Sequence, residues 1–326
     1  MRHIVLLYMC AGIFAAGLSL SAKAQTKPTP TPKTDAKIKT DAKETWDPDA
    51  DERAIKPPTD EETQKAKEWA MELGKKAKQI APKMQLMETP NFYLYSAFEN
   101  KAADKVFRDT AGQMYTRLCK QFEANPKSVW LDKCPIFAFK TKEQYVAFLR
   151  AIDFEEAQVE RMKKADGFAW WSSNGRVFIV LNETRNATQF YDVMVHEATH
   201  AFVARYLTTR ALPTWVNEGL ADHMCAELLK NSPTQWRWQW ATKQALEGKE
   251  NPASIFDEEW RIESFDYGMA HSLVRYMIRR DGKAFTRFVR LLKQGESEEA
   301  ALKATYKTDR QGLFKAWWAV AAKTIK

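Results

Sequence analysis

The sequence predicts an α+β fold, a small mixed sheet in the N-terminal half followed by a helical C-terminal lobe. Three observations predict it. Short aromatic-rich and β-branched runs are confined to the stretch before about residue 182. From Gln189 onward, apolar residues recur at helical rather than strand spacing. Strands grouped first and helices grouped afterwards indicate segregated layers rather than alternating βα units.

The elements follow in order. Glu61 to Gln79 is built of good helix formers around Trp69. Asn91 to Phe98 reads as a strand through Phe92 and Leu94. Ala103 to Phe122 is helical, and Cys134 to Lys140 is a strand carrying Ile136, Phe137 and Phe139. Thr141 to Ile152 is a helix, with Thr141 as N-cap and Gln144 completing a capping box. Phe168 to Trp171 and Arg176 to Leu181 are two strands joined by Ser172-Ser173-Asn174-Gly175, whose Asn-Gly pair is a strong turn signal. A helix from Gln189 to Leu207 follows at once. After Leu212-Pro213 a second helix opens, with Thr214 as its N-cap. Beyond Leu229 the pattern is all helix: Pro233 to Leu246, Ser264 to Arg280, Lys283 to Lys293, Ser297 to Tyr306 and Asp309 to Lys323.

The first 24 residues read as a secretory leader. Arg2 gives a basic start, Ile4 to Leu20 is apolar, and Ala22-Lys23-Ala24 matches a cleavage site before Gln25. The reading implies export to a periplasmic or extracellular location, with no stable membrane insertion after cleavage. Residues 25–60 are rich in Pro, Thr, Lys and Asp, too poor in apolar surface to fold, and read as a disordered linker. Residues 61–326 then form the folded part, an α/β lobe to about 207 and a helical lobe over 208–326. Without the leader, three cysteines remain: Cys119, Cys134 and Cys225. An odd number forbids full pairing within the chain; Cys119 and Cys134 could be bridged, and Cys225 reads as a buried thiol. The net charge of +8 carries no nucleic-acid motif with it and is read as a solubility feature.

The chemistry concentrates in His196-Glu197-Ala198-Thr199-His200. Two histidines four apart on a helix point the same way, one turn above the other, so their imidazoles can share one zinc ion with a carboxylate from elsewhere. Three protein ligands leave a fourth position for water, as in catalytic zinc sites. Glu197 stands beside the first histidine, where it can take a proton from that water. The helix reads as amphipathic, with Phe190, Val193, Val195, Ala198, Phe202 and Val203 as its apolar positions. The next helix carries Glu218 near its first turn and Asp222 one turn later, within Trp215-Val216-Asn217-Glu218-Gly219-Leu220-Ala221-Asp222.

Together, HEATH and WVNEGLAD resemble the zinc-binding core of the gluzincin metallopeptidases, the peptidase MA-like superfamily that includes thermolysin and the zinc aminopeptidases. The likeness is greatest to an exported bacterial branch of that superfamily and runs from about Pro90 to the C-terminus. It implies a zincin catalytic domain holding one zinc per chain through His196, His200 and Glu218, with Glu197 as general base. It implies that Asp222 buttresses a ligand histidine. It further implies that a strand near Arg176 to Leu181 offers backbone groups to an extended peptide, and that the partner is a peptide or protein substrate.

Hydrolysis builds negative charge on the former carbonyl oxygen, which a Tyr or His donor stabilises. Tyr267 and His271, four apart on one helix face, are the candidates. His223 is turned about 100° from its neighbour Asp222 and is left out of the metal shell. Asp192, one turn before His196, reads as a solvated helix-start acid. Trp236, Trp238 and Trp240 could form an aromatic platform for sugar or peptide, but Trp236 and Trp240 share a helix face and read as core, as do Trp317 and Trp318. The function expected is that of an exported zinc metallohydrolase, most simply a peptidase. Two alternatives stand beside it: an envelope-associated zinc-binding protein without turnover, and an amidase acting on cell-wall peptides.

Overall fold

A computed structural model describes residues 54–98, 101–256 and 263–325. The leader and most of the expected linker lie outside the described residues. Within the segment expected to be linker, Ala54 bridges Thr208, and the Ile55 N–H donates to the Leu207 carbonyl at 2.7 Å.

Helix α1 (Asp60–Ile80) starts with a complete capping box between Thr59 and Glu62. Then come β1 (Gln85–Glu88), β2 (Phe92–Ser96), α2 (Lys101–Phe122), β3 (Cys134–Phe139), α3 (Lys142–Ala151), α4 (Glu156–Met162), β4 (Gly167–Trp171) and β5 (Val177–Asn182). The helical part comprises α5 (Ala187–Arg205), α6 (Thr214–Leu228), α7 (Thr234–Leu246), α8 (Ser264–Arg280), α9 (Gly282–Gln294), α10 (Glu298–Tyr306) and α11 (Arg310–Thr324), with a 3₁₀ turn at Pro252–Phe256. At α3 only half of the expected capping box forms. Thr141 accepts the Gln144 N–H, but the Gln144 side chain reaches the N–H of Lys140 instead of that of Thr141. At α6 the expected N-cap is displaced by one residue: Pro213 holds that position and Thr214 is the first helical residue.

The five strands form one mixed sheet in the order β1-β2-β3-β5-β4. β2, β3 and β5 run parallel; β1 and β4 pair antiparallel at the two edges. Side chains alternate cleanly between two buried faces. Tyr93, Tyr95, Phe137, Phe139, Phe168, Phe178 and Val180 form one core with Ala70, Leu73 and Ala77 of α1, Phe148 of α3 and Val159 of α4. Phe92, Leu94, Ile136, Ala138, Ala169, Ile179 and Leu181 face the other way, onto Phe107 and Met114 of α2 and Met194, Ala198 and Phe202 of α5. Burial on both faces explains why these strands are nearly continuous apolar runs.

The sheet order corrects one expectation. β5, the strand over Arg176 to Leu181, is paired on both sides and offers no free edge. β4 is the edge strand, because the hairpin through Gly175 (φ +82°) folds it outward from β5. The cores differ from expectation as well. Trp317 is buried, but Trp236, Trp240 and Trp318 are 49%, 40% and 38% exposed. Cys119, Cys134 and Cys225 are buried free thiols, with no bridge between Cys119 and Cys134. Among the described residues no helix is long and apolar enough to cross a membrane.

Candidate metal centre

α5 is capped by Asn186, whose side chain accepts the Gln189 N–H at 2.9 Å. The helix is not amphipathic: every residue from Met194 to Val203 is buried. Its polar side is enclosed because α6 lies across it, itself buried from Trp215 to Cys225. Gly219 permits the arrangement. A Cβ there would fall 2.4 Å from the carbonyl oxygen of Ala270, so the backbones of α6 and α8 meet directly beside Glu218.

His196, His200 and Glu218 converge and are all buried. Glu218 Oε2 lies 3.1 Å from His196 Nε2 and 3.5 Å from His200 Nε2. A tetrahedral ion with bonds near 2 Å sets its ligand atoms about 3.3 Å apart, so both spacings match a shared cation. The donor set of two imidazoles and a carboxylate is that of an open zinc site. His196 faces carboxylates through both ring nitrogens, with Asp222 Oδ1 3.1 Å from Nδ1. An imidazole satisfies two such acceptors only with hydrogen on both nitrogens, and a cation at Nε2 stands where one of those protons would be. Burial works to raise the Glu218 carboxyl, but the imidazoles of His200 and His196 outweigh it and hold it at about 2. Asp222 is likewise held below the usual carboxylate range: burial opposes, and Arg237 and His196 prevail.

Glu197 is buried against the sheet edge. Its Oε2 accepts the backbone N–H of Ala169 on β4 at 2.9 Å, whereas Oε1 has no hydrogen-bond partner among the described residues. Burial holds its carboxyl above the ordinary range against the pull of His200 and His196. The ladder around Ala169 is also informative. Asp166 and Ser172 bond across to Asn182 and Arg176, so alternation turns the backbone groups of Gly167, Ala169 and Trp171 outward. A cavity of about 30 Å³ runs beside His200 between Trp171, Asn217 and Lys293.

Of the other expected residues, Tyr267 packs edge-on against His196, ring centroids 6.3 Å apart. His271 is fully buried, its ring against those of His223 (5.9 Å) and Trp238 (6.1 Å). His223 stays on that far side, where burial pulls it down to about 4. Asp192 is no solvated acid: it accepts from the Ser232 hydroxyl, and burial lifts it to about 6. Arg237 of α7 was not foreseen. Its Nη2 donates to Asp222 Oδ2 at 2.6 Å, and its guanidinium lies over the Tyr267 ring, 5.3 Å from the centroid. The only local hint of it is a cation set between Trp236 and Trp238.

A mixed sheet with an antiparallel edge, backed by a helix that presents two histidines to a glutamate of the next helix, is the arrangement of a metallopeptidase-like protein. The family model of the peptidase MA superfamily matches residues 144–323, more than half of the chain, and the chain belongs to that superfamily. The match opens in α3, later than the Pro90 start expected from the residues, and covers α5 to α8, where the three converging residues lie. Comparison with curated proteins returns no match.

Proposed function

We propose that the chain is an exported zinc-dependent peptidase. The observation that carries this reading is the placement of Glu197: one oxygen is tied to the edge strand, and the other is buried, with no hydrogen-bond partner among the described residues, beside the converging His196, His200 and Glu218. His196, His200 and Glu218 would hold a zinc ion, which when bound would supply a Lewis acid for the scissile carbonyl and for water. The outward carbonyl of Ala169, whose N–H is taken by Glu197, accepts from an extended peptide and sets its scissile bond over the site. Glu197 Oε1 takes a proton from the attacking water. As the C–N bond breaks, the same carboxyl delivers that proton to the leaving amine. The Tyr267 phenol donates to the developing oxyanion. Asp222 accepts the His196 Nδ1–H and fixes the tautomer, and His271 supports the helix pair from behind. Export follows from the basic, apolar and small-residue order of residues 1–24.

The test is a metal assay joined to a peptide-library digest. Purified protein is expected to carry about one zinc per chain and to cleave peptides. Glu197→Gln keeps the metal and lowers the rate by about 10²–10⁴-fold, the usual range for loss of a general base. An unchanged rate removes Glu197 from its role. Zinc binding without cleavage of any peptide by the natural sequence overturns the peptidase reading.

A further inference from the structure

We infer that Arg237 is a positioning residue of the metal centre, fixing both the carboxylate behind His196 and the phenol beside it. The inference rests on the metal-site reading above. Asp222 is fully buried and has two oxygens to satisfy. His196 Nδ1 meets Oδ1 at 3.1 Å and Arg237 Nη2 meets Oδ2 at 2.6 Å, so the carboxylate is held from both ends and cannot rotate without breaking a charge-assisted bond. The same guanidinium covers the Tyr267 ring at 5.3 Å, and that ring lies edge-on to His196 at 6.3 Å. Arg237, Asp222, His196 and Tyr267 therefore close a ring of contacts, with Arg237 the member supplied by α7.

The backbone places it there independently. A Cβ on Gly268 would fall 2.6 Å from the Arg237 carbonyl oxygen and 2.6 Å from the Ala241 Cβ. Thus α7 rests directly on α8 one residue past Tyr267. The start of the Arg237 side chain is fixed by this helix contact and its end by Asp222. A planar fork suits the two tasks, since one nitrogen bonds the carboxylate while the plane lies on the aromatic face; a lysine ammonium is a point charge that lacks the stacking plane.

The experiment measures zinc affinity by chelator competition for the natural sequence, Arg237→Met, Arg237→Lys, Asp222→Asn and the Arg237→Met/Asp222→Asn double variant. Circular dichroism confirms folding of each. Loss of a partner that orients a ligand weakens metal binding about 10–100-fold, and Arg237→Met is expected in that range. Arg237→Lys recovers most of the affinity, because the ammonium still pairs with Asp222; on a cleaved peptide it keeps KM but loses kcat, because no guanidinium plane stacks on the Tyr267 ring to hold it. In the Asp222→Asn background, Arg237→Met has little further effect on affinity, because the residue acts through that carboxylate. Zinc binding that Arg237→Met leaves unchanged, or affinity losses that simply add in the double variant, overturn the positioning role alone. If Arg237→Met fails to fold, the Lys variant decides, and an affinity and kcat both equal to those of the natural sequence overturn the role. A natural sequence that takes no zinc overturns the metal reading itself and this role with it.

Discussion

Asp222 Oδ1 lies 3.1 Å from Nδ1 of His196, on the opposite side of the imidazole from Glu218 Oε2, which lies 3.1 Å from Nε2. The ring is thus gripped along its length, and these two carboxylates fix its orientation. Asp222→Ala is expected to leave the fold intact and to weaken zinc about 10–100-fold. Chelator competition on the two proteins side by side checks this; equal affinities would remove Asp222 from the site.

Gly219→Ala probes the helix contact beside Glu218. The added methyl meets Ala270 backbone atoms at 2.4 and 2.7 Å, which no rotamer change relieves. Overpacking of this kind costs about 1–3 kcal/mol, and here it also pushes α6, which bears Glu218, away from α8. A thermal melt with a parallel metal titration is expected to show both a lower Tm and weaker zinc binding. A variant as stable as the parent would mean that the helices separate at no cost.

Lys293 predicts a pH dependence of stability. Its ammonium is fully buried, donating to the carbonyls of Val203 at 2.9 Å and Arg210 at 2.6 Å. Burial, aided by Arg205, pulls it from 10.5 down to about 7. The unfolded chain therefore binds more protons than the folded one between those values, and the Lys293 contribution to stability rises as pH rises through that window. Below about 7 both states are charged and the contribution is flat at its least favourable. Urea unfolding at pH 6.5 and pH 9.5 is expected to show the natural sequence gaining on Lys293→Met at the higher pH. A difference independent of pH would show the lysine titrating normally when folded.

The tryptophans give a contrast in stability. Trp317, buried with its Nε1 donating to Ser272 at 3.0 Å, is expected to cost about 3–5 kcal/mol as Trp317→Ala. Trp236→Ser and Trp240→Ser, at residues 49% and 40% exposed, are expected to cost clearly less than Trp317→Ala. Denaturant midpoints decide the matter, and a large loss at Trp236 would return it to the core.

Much of this architecture is legible in the residues because it is local. The helix periods, the Asn174-Gly175 turn and the one-turn spacing of His196 and His200 each depend on neighbours within a few positions. What was misread depends on distant packing. Whether Trp236 and Trp240 face inward is set by what covers α7, not by their four-residue spacing. The edge position of β4 follows from strand order, which local alternation cannot reveal. β1 escaped notice because Gln85-Leu86-Met87-Glu88 is short and polar at both ends, and α4 because seven residues hold too few turns to show a period. Arg237 reaches Asp222 only because Gly268 lets α7 settle on α8, a contact with no trace in spacing.

The three cysteines among the described residues are sealed inside the fold and give it a built-in reporter. Burial raises Cys119 to about 11 and lifts Cys134 and Cys225 further, so at neutral pH none offers a reactive thiolate to solvent. Cys119 sits on α2, Cys134 on β3 and Cys225 on α6, so one alkylating reagent samples the sheet, a covering helix and the helix that bears Glu218. The order in which the three become labelled as denaturant is added would reveal which layer lets go first, with no probe introduced into the chain.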